Sequence, residues 1–306
     1  MGKIAFVFAG QGAQYPGMGK DLYENNEGAV KLFETVKKTS PQTVLSCFNA
    51  DAKQLMETHV TQPAVYTADL ACAYALKERG VTPDGVAGYS LGELAALAFA
   101  GSMSVEDGLS LVKKRGDAMH RASLECESGM VAVLKLDDET VKETAASYKN
   151  VYPVNFNCRG QVSVAGKKDQ LELFRDDIKE KGGLVRILEV SGGFHSPFMN
   201  SAREELSEEF SKAEIKESEI PVYANATGEI YNGDYSELML KQITSPILWQ
   251  RTIENMIDDG FDTFIEVGPG ERLSKMLTRI SKEITVLNVE NCETLEKAVE
   301  VLGGDR

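Results

Sequence analysis

Short apolar runs of strand length recur along the chain, separated by longer stretches in which apolar residues return every three or four positions. Runs at 3–9, around Val86, and at 221–225, 263–267 and 284–289 predict strands. The intervening spacing predicts helices over 64–77, 91–100, 105–122, 198–213, 235–242, 252–259, 271–280 and 293–302. Residues 18–60 read as further helices with polar connections. Pro63 falls at the start of the 64–77 helix, in the first turn where proline is tolerated. Strand–helix alternation on this scale predicts a mainly parallel sheet covered by helices. From 127 to 191 the pattern changes to strand 130–136, helix 138–149, strand 151–157, strand 161–165, helix 169–181 and strand 184–190. That βαββαβ order predicts a ferredoxin-like subdomain at 127–191, inserted into a larger α/β domain made of 1–126 and 192–306.

Helix 105–122 holds the first chemical cue. Ser104, followed three residues later by Asp107, predicts a capping box that fixes its start. At about 100° per residue, Val105, Leu109, Leu111, Val112, Ala118 and Met119 share one face, with Arg115 near its middle. Lys113, Lys114, Asp117, His120 and Arg121 point away. An inward guanidinium is costly unless an anion pairs with it. An internal Asp or Glu would meet that need, and so would a substrate carboxylate gripped by the planar arginine fork.

Gly88-Tyr89-Ser90-Leu91-Gly92 joins the strand at Val86 to the next helix. Two glycines permit a sharp turn that lifts the serine oxygen to an exposed tip beside free helix-start N–H groups. The pattern fits either a nucleophile or an ordinary Gly/Ser turn. The loop Gly10-Gln11-Gly12-Ala13-Gln14-Tyr15 follows the first strand, but Tyr15 stands where a dinucleotide fingerprint has its third glycine. The loop instead offers backbone N–H groups to a ligand oxygen, with Gln11 in position. Of three histidines, His59 lies in a polar stretch and His120 on the solvent side of its helix. His195 sits on a glycine-flanked loop at a domain junction, so it is the base if Ser90 is the nucleophile.

Composition narrows the class. With 42% hydrophobic and 26% charged residues, the chain reads as an ordinary soluble enzyme, with no apolar run of membrane length and no signal segment before the first strand. Five scattered cysteines without CxxC spacing predict reduced thiols and a cytoplasmic location, and argue against a disulfide frame or a zinc site. A net charge of −14 argues against nucleic acid. An acidic protein partner needs a local basic patch, for which Lys179, Lys181 and Arg186, or Arg272, Lys275 and Arg279, are candidates.

Read together, these segments resemble the malonyl-CoA:acyl-carrier-protein transacylase family of fatty acid synthesis, related to the acyltransferase domains of polyketide synthases. The resemblance runs almost end to end: Gly10-Gln11-Gly12, Thr61-Gln62-Pro63-Ala64, Gly88-Tyr89-Ser90-Leu91-Gly92-Glu93, Arg115-Gly116, Asn155-Phe156-Asn157, Phe194-His195-Ser196 and Glu266-Val267-Gly268-Pro269-Gly270. It implies an α/β-hydrolase-like large domain and ping-pong transfer of malonyl from malonyl-CoA to acyl carrier protein. Ser90 would be the nucleophile, His195 the base, and the Leu91 and Gln11 N–H groups the oxyanion hole. Arg115 would clamp the malonyl carboxylate and Gln242 would help orient His195. CoA and phosphopantetheine thioesters are then substrates, and neither cofactor nor metal is implied. Tyr89 departs from the histidine usual before the serine, while Phe194 fits the malonyl-preferring pattern. A stand-alone acyltransferase serving a polyketide synthase and a serine thioesterase or esterase are the alternative enzymes. The third alternative is a catalytically silent docking subunit.

Overall fold

The computed structural model describes residues 2–303. After β1 (Lys3–Phe8) come α1 (Lys20–Asn25), α2 (Glu27–Thr39), α3 (Pro41–Asn49) and α4 (Thr58–Glu78). Then follow β2 (Gly85–Gly88), α5 (Gly92–Phe99) and α6 (Val105–Leu124). The next stretch is β3 (Ser128–Leu134), α7 (Asp138–Ala146), β4 (Val151–Cys158), β5 (Gln161–Lys167), α8 (Lys168–Glu180) and β6 (Leu184–Leu188). The chain continues with α9 (Asn200–Lys212), β7 (Val222–Tyr223), α10 (Tyr235–Thr244) and α11 (Trp249–Asp258), and ends with β8 (Phe261–Val267), α12 (Arg272–Ile280), β9 (Thr285–Val289) and α13 (Cys292–Val301).

Two sheets result. The first has strand order β7-β2-β1-β8-β9 with every neighbouring pair parallel, as the strand–helix alternation predicts. β1 lies at its centre with β2 beside it, and both are almost wholly apolar because both faces are covered by helices. The second sheet is antiparallel, in the order β4-β5-β3-β6 of a ferredoxin-like unit, with its own core around Val131, Val164, Phe174 and Ile178. β4 of the second sheet pairs with Ile247, in the connection between α10 and α11. The Phe156 N–H donates to the Ile247 carbonyl at 2.9 Å, and the Ile247 N–H to the Val154 carbonyl at 2.8 Å. Among the described residues no helix is long and apolar enough to cross a membrane.

Pro63 departs from its expected place. It lies inside α4, which begins at Thr58 rather than after the proline. The carbonyl left without its helical donor is that of His59, an exposed residue that water can reach. Thr61 holds the early turn by donating to the Leu55 carbonyl and, at 3.1 Å, to the Glu57 carbonyl. Other differences are at element ends: α11 begins at Trp249, β7 has only two residues, and a 3-10 turn, Pro197–Met199, precedes α9. Ser104 caps α6 as expected, its hydroxyl accepting from the Asp107 N–H at 3.0 Å. The reciprocal half of the box is replaced by a side-chain bond, Ser104 Oγ donating to Asp107 Oδ2.

Candidate active site

Three loops that leave the carboxyl ends of neighbouring strands build the site, where open parallel sheets hold their ligands. β1 delivers Gln11, β2 delivers Ser90, and β7 delivers Asn225. The turn after β2 is tight. A Cβ on Gly88 would lie 2.0 Å from the Gly92 carbonyl carbon, and one on Gly92 would lie 2.3 Å from the Phe8 carbonyl oxygen. Only glycine fits either place. Ser90 between them adopts φ 54°, and its N–H donates to Asn225 Oδ1 at 2.7 Å.

His195 comes from the loop before α9 and places Nε2 at 2.7 Å from Ser90 Oγ. Its Nδ1 lies 2.9 Å from the Gln242 backbone carbonyl, which can only accept. Nδ1 therefore carries the proton, and Nε2 presents its lone pair to the serine hydroxyl. Burial, reinforced by the Arg115 charge and opposed by the Gln242 bond, pulls the His195 pKa down to about 3. The imidazole rests neutral and ready to take a proton. Among the described residues no carboxylate bonds to it. Gln242 serves the histidine with its backbone, rather than with its side chain.

Arg115 lies where the helical spacing placed it, only 1% exposed. Its fork donates to Gln62 Oε1 at 2.8 Å, Gln242 Oε1 at 2.9 Å and Ser90 Oγ at 3.2 Å, and its buried Nε has no partner. Among the described residues no carboxylate pairs with it directly. Burial lowers its pKa to about 10, and Glu93 partly restores it. The Gln11 side chain turns away to donate to Thr58 Oγ1 at 3.2 Å. Among the described residues the backbone N–H groups of Gln11 and Leu91 have no acceptor, and both residues border the serine loop. Gln11, Gln62, Ser90 and His195 line one end of a cavity of about 360 Å³, with Arg115 buried behind Gln62 and Ser90. Its other wall, Asn155, Ser163 and Leu188, comes from the antiparallel sheet.

Sequence reasoning passed over two residues behind the pair, Glu93 and Asn225. Glu93 is fully buried and accepts from Tyr231, from the Asn225 N–H at 2.8 Å and from Gln242 Nε2 at 3.0 Å. Burial raises its pKa to about 7, against the pull of those bonds and of Arg115. Asn225 also donates to the Gly88 carbonyl at 2.7 Å, pinning the serine turn from below. Glu93 had a signal: it is the only charged residue in the otherwise apolar α5.

Tyr89 points into the seam between the sheets. Its hydroxyl donates to Asn157 Oδ1 at 2.6 Å, its ring meets Trp249 edge-on, and the Arg272 guanidinium lies over it 5.8 Å from the centroid. Arg272 thus belongs partly to the cavity. Lys275 pairs with Glu271, Lys179 with Asp176, and Arg279 donates to Gln161 across the seam at 2.8 Å.

A neutral histidine aimed at a serine on a strand-to-helix elbow marks an enzyme that carries acyl groups on an activated hydroxyl. Residues 5–299 match the family described as acyl transferase domain, and the chain belongs to that family. It is 38% identical over 310 residues to the malonyl CoA-acyl carrier protein transacylase of Bacillus subtilis, covering 99% of this chain and 98% of that protein. The crystal structure of the Clostridium perfringens malonyl CoA-acyl carrier protein transacylase superposes with a TM-score of 0.95 at 40% identity, over 98% of this chain and 97% of that one. A malonyl-transacylase solved in complex with its type II polyketide synthase acyl-carrier protein superposes at 0.93 and 29% identity, over 98% and 99%.

Proposed function

We propose that the protein moves a malonyl group from malonyl-CoA to the pantetheine thiol of acyl carrier protein in fatty acid synthesis, by way of a malonyl-Ser90 ester. Ser90 Oγ attacks the thioester carbonyl as His195 Nε2 takes its proton. The oxyanion is received by the N–H groups of Leu91 and Gln11. Collapse of the intermediate breaks the C–S bond, and the departing CoA sulfur takes the proton from His195. The carrier thiol then gives its proton to His195 and attacks the ester, and Ser90 leaves with that proton. Both halves balance with serine, imidazole and two thiols, so no cofactor enters. In this reading 127–191 is the inserted unit that walls the cleft against the body formed by 1–126 and 192–306. The reaction belongs in the cytoplasm, where the free cysteines stay reduced.

The observation that carries the substrate assignment is Arg115. A buried cation within 3.2 Å of the nucleophile, with Nε unpartnered, suits an acyl chain that ends in a carboxylate a single carbon beyond its carbonyl. A longer diacid would drive its carboxylate past the guanidinium, and a neutral acyl group would leave the cation buried and unpaired. A panel of acetyl-, malonyl-, methylmalonyl- and succinyl-CoA, read as mass shifts of enzyme and carrier, tests this. Malonyl should load both proteins fastest. Rapid release of free malonate without carrier acylation would instead mean hydrolysis.

A further inference from the structure

Two of the chain's three histidines take no part in this chemistry, yet they face each other. His59, in the first turn of α4, and His120, on α6, have ring centroids 5.0 Å apart at an interplanar angle of 58°. Glu57, the residue just before α4, adds a carboxylate, and one ligand atom from each of the three lies within 4.8 Å of the others. None of these side chains has a hydrogen bond or ion pair elsewhere among the described residues. The Nδ1 atom of His120 is buried without a partner. His120 is therefore less exposed than its helical position suggested. The backbones beneath are close and fixed, for a Cβ on Gly116 of α6 would come within 3.2 Å of the His59 Cα.

We propose that Glu57, His59 and His120 form a binding site for a divalent transition-metal ion of the zinc type. Two imidazoles and one carboxylate are a borderline-soft donor set, suited to Zn²⁺ and its neighbours and unlike the all-oxygen shells of Mg²⁺ and Ca²⁺. Three protein ligands leave a fourth position for water or another ligand. Tetrahedral ligands at about 2.0–2.2 Å from zinc stand roughly 3.4 Å apart. Rotation of the exposed Glu57 and His59 side chains closes the difference. Metal binding also satisfies the orphaned imidazole nitrogen of His120. The expectation of no zinc site rested on cysteine spacing, whereas these ligands are imidazoles and a carboxylate, with His59 and His120 about sixty residues apart in sequence on two crossing helices.

Full-length protein freed of metal by chelation, then titrated with ZnCl₂ in equilibrium dialysis, tests the proposal. One equivalent should bind per chain, with affinity falling about tenfold or more in His59→Asn and in His120→Asn. Zinc should raise the melting temperature of the wild type and leave that of the double histidine variant unmoved. Co²⁺ should give visible bands without the intense near-ultraviolet absorption of thiolate ligation. The altered side chains are exposed or half-buried, and circular dichroism verifies that each variant folds. A double variant that binds zinc as tightly as the wild type, a thiolate spectrum, or no saturable binding would overturn the assignment.

Discussion

Ser90 and His195 face each other across 2.7 Å with both backbones in the left-handed region, at φ 54° and 60°. Among the described non-glycine residues only Lys135 shares that conformation. The cost of holding two side-chain-bearing residues there is met by the surrounding hydrogen bonds, and the gain is a pair aimed before substrate arrives. Ser90→Ala should lower malonyl transfer by at least about 10⁴-fold and abolish the malonyl-enzyme mass adduct, with an unchanged circular dichroism spectrum. An adduct that survives the substitution would place the acyl group elsewhere.

Arg115→Ala should separate acid from neutral substrates. Removing one partner of a buried charge pair costs about 3–5 kcal/mol, or roughly 10²- to 5 × 10³-fold. That loss should fall on kcat/KM for malonyl-CoA and spare acetyl-CoA. Equal losses on both substrates would make Arg115 a purely structural residue.

Glu93 touches neither Ser90 nor His195, but it holds Gln242 and Asn225, which do. Glu93→Gln puts an N–H donor where donors already converge. It should destabilise the fold by about 1–3 kcal/mol, seen as a lower urea midpoint. It should also reduce kcat more than it raises KM, because the reacting pair shifts while the carboxylate pocket persists.

The acid limb of stability should carry the His195 signature. Its folded pKa is near 3, against about 6.5 in the unfolded chain. Between those values the unfolded state binds the extra proton, so stability falls as pH drops through the window, by up to about 1.4 kcal/mol per pH unit. Urea midpoints of the wild type and His195→Gln, compared from pH 7 to pH 4, should converge as pH falls.

Tyr89→Phe keeps the ring against Trp249 and Arg272 but leaves Asn157 Oδ1 without its donor. The expected cost is about 1–3 kcal/mol of stability with malonyl transfer nearly unchanged. A large fall in kcat would show that the hydroxyl reaches the reacting atoms.

The site was legible wherever a residue broke a local rule. Arg115 interrupted an apolar helical face, Ser90 stood between glycines at a strand end, and Ser104 marked the start of α6. The same reasoning misplaced Pro63, because threonine bonds from neighbouring turns and an exposed carbonyl at His59 allow a proline that local preference alone would put at a helix start. Asn225 gave no signal. Its importance comes from β7 lying beside β2, a pairing of strands more than a hundred residues apart that no local pattern records. For the same reason the partner of His195 Nδ1 was a backbone carbonyl, which every residue except its position in space leaves anonymous.

The pairing of β4 with the α10–α11 connection has a mechanical meaning. Rotating the antiparallel sheet against the rest of the chain would shear the Phe156–Ile247 and Ile247–Val154 bonds, each worth about 1 kcal/mol net, and the Arg279–Gln161 contact. The cleft is therefore a slot of set width, gauged by backbone rather than by whatever enters it. In the proposed reaction a CoA thioester and a carrier-borne thiol would thread the same aperture in turn, and the protein would tell them apart by what remains outside it.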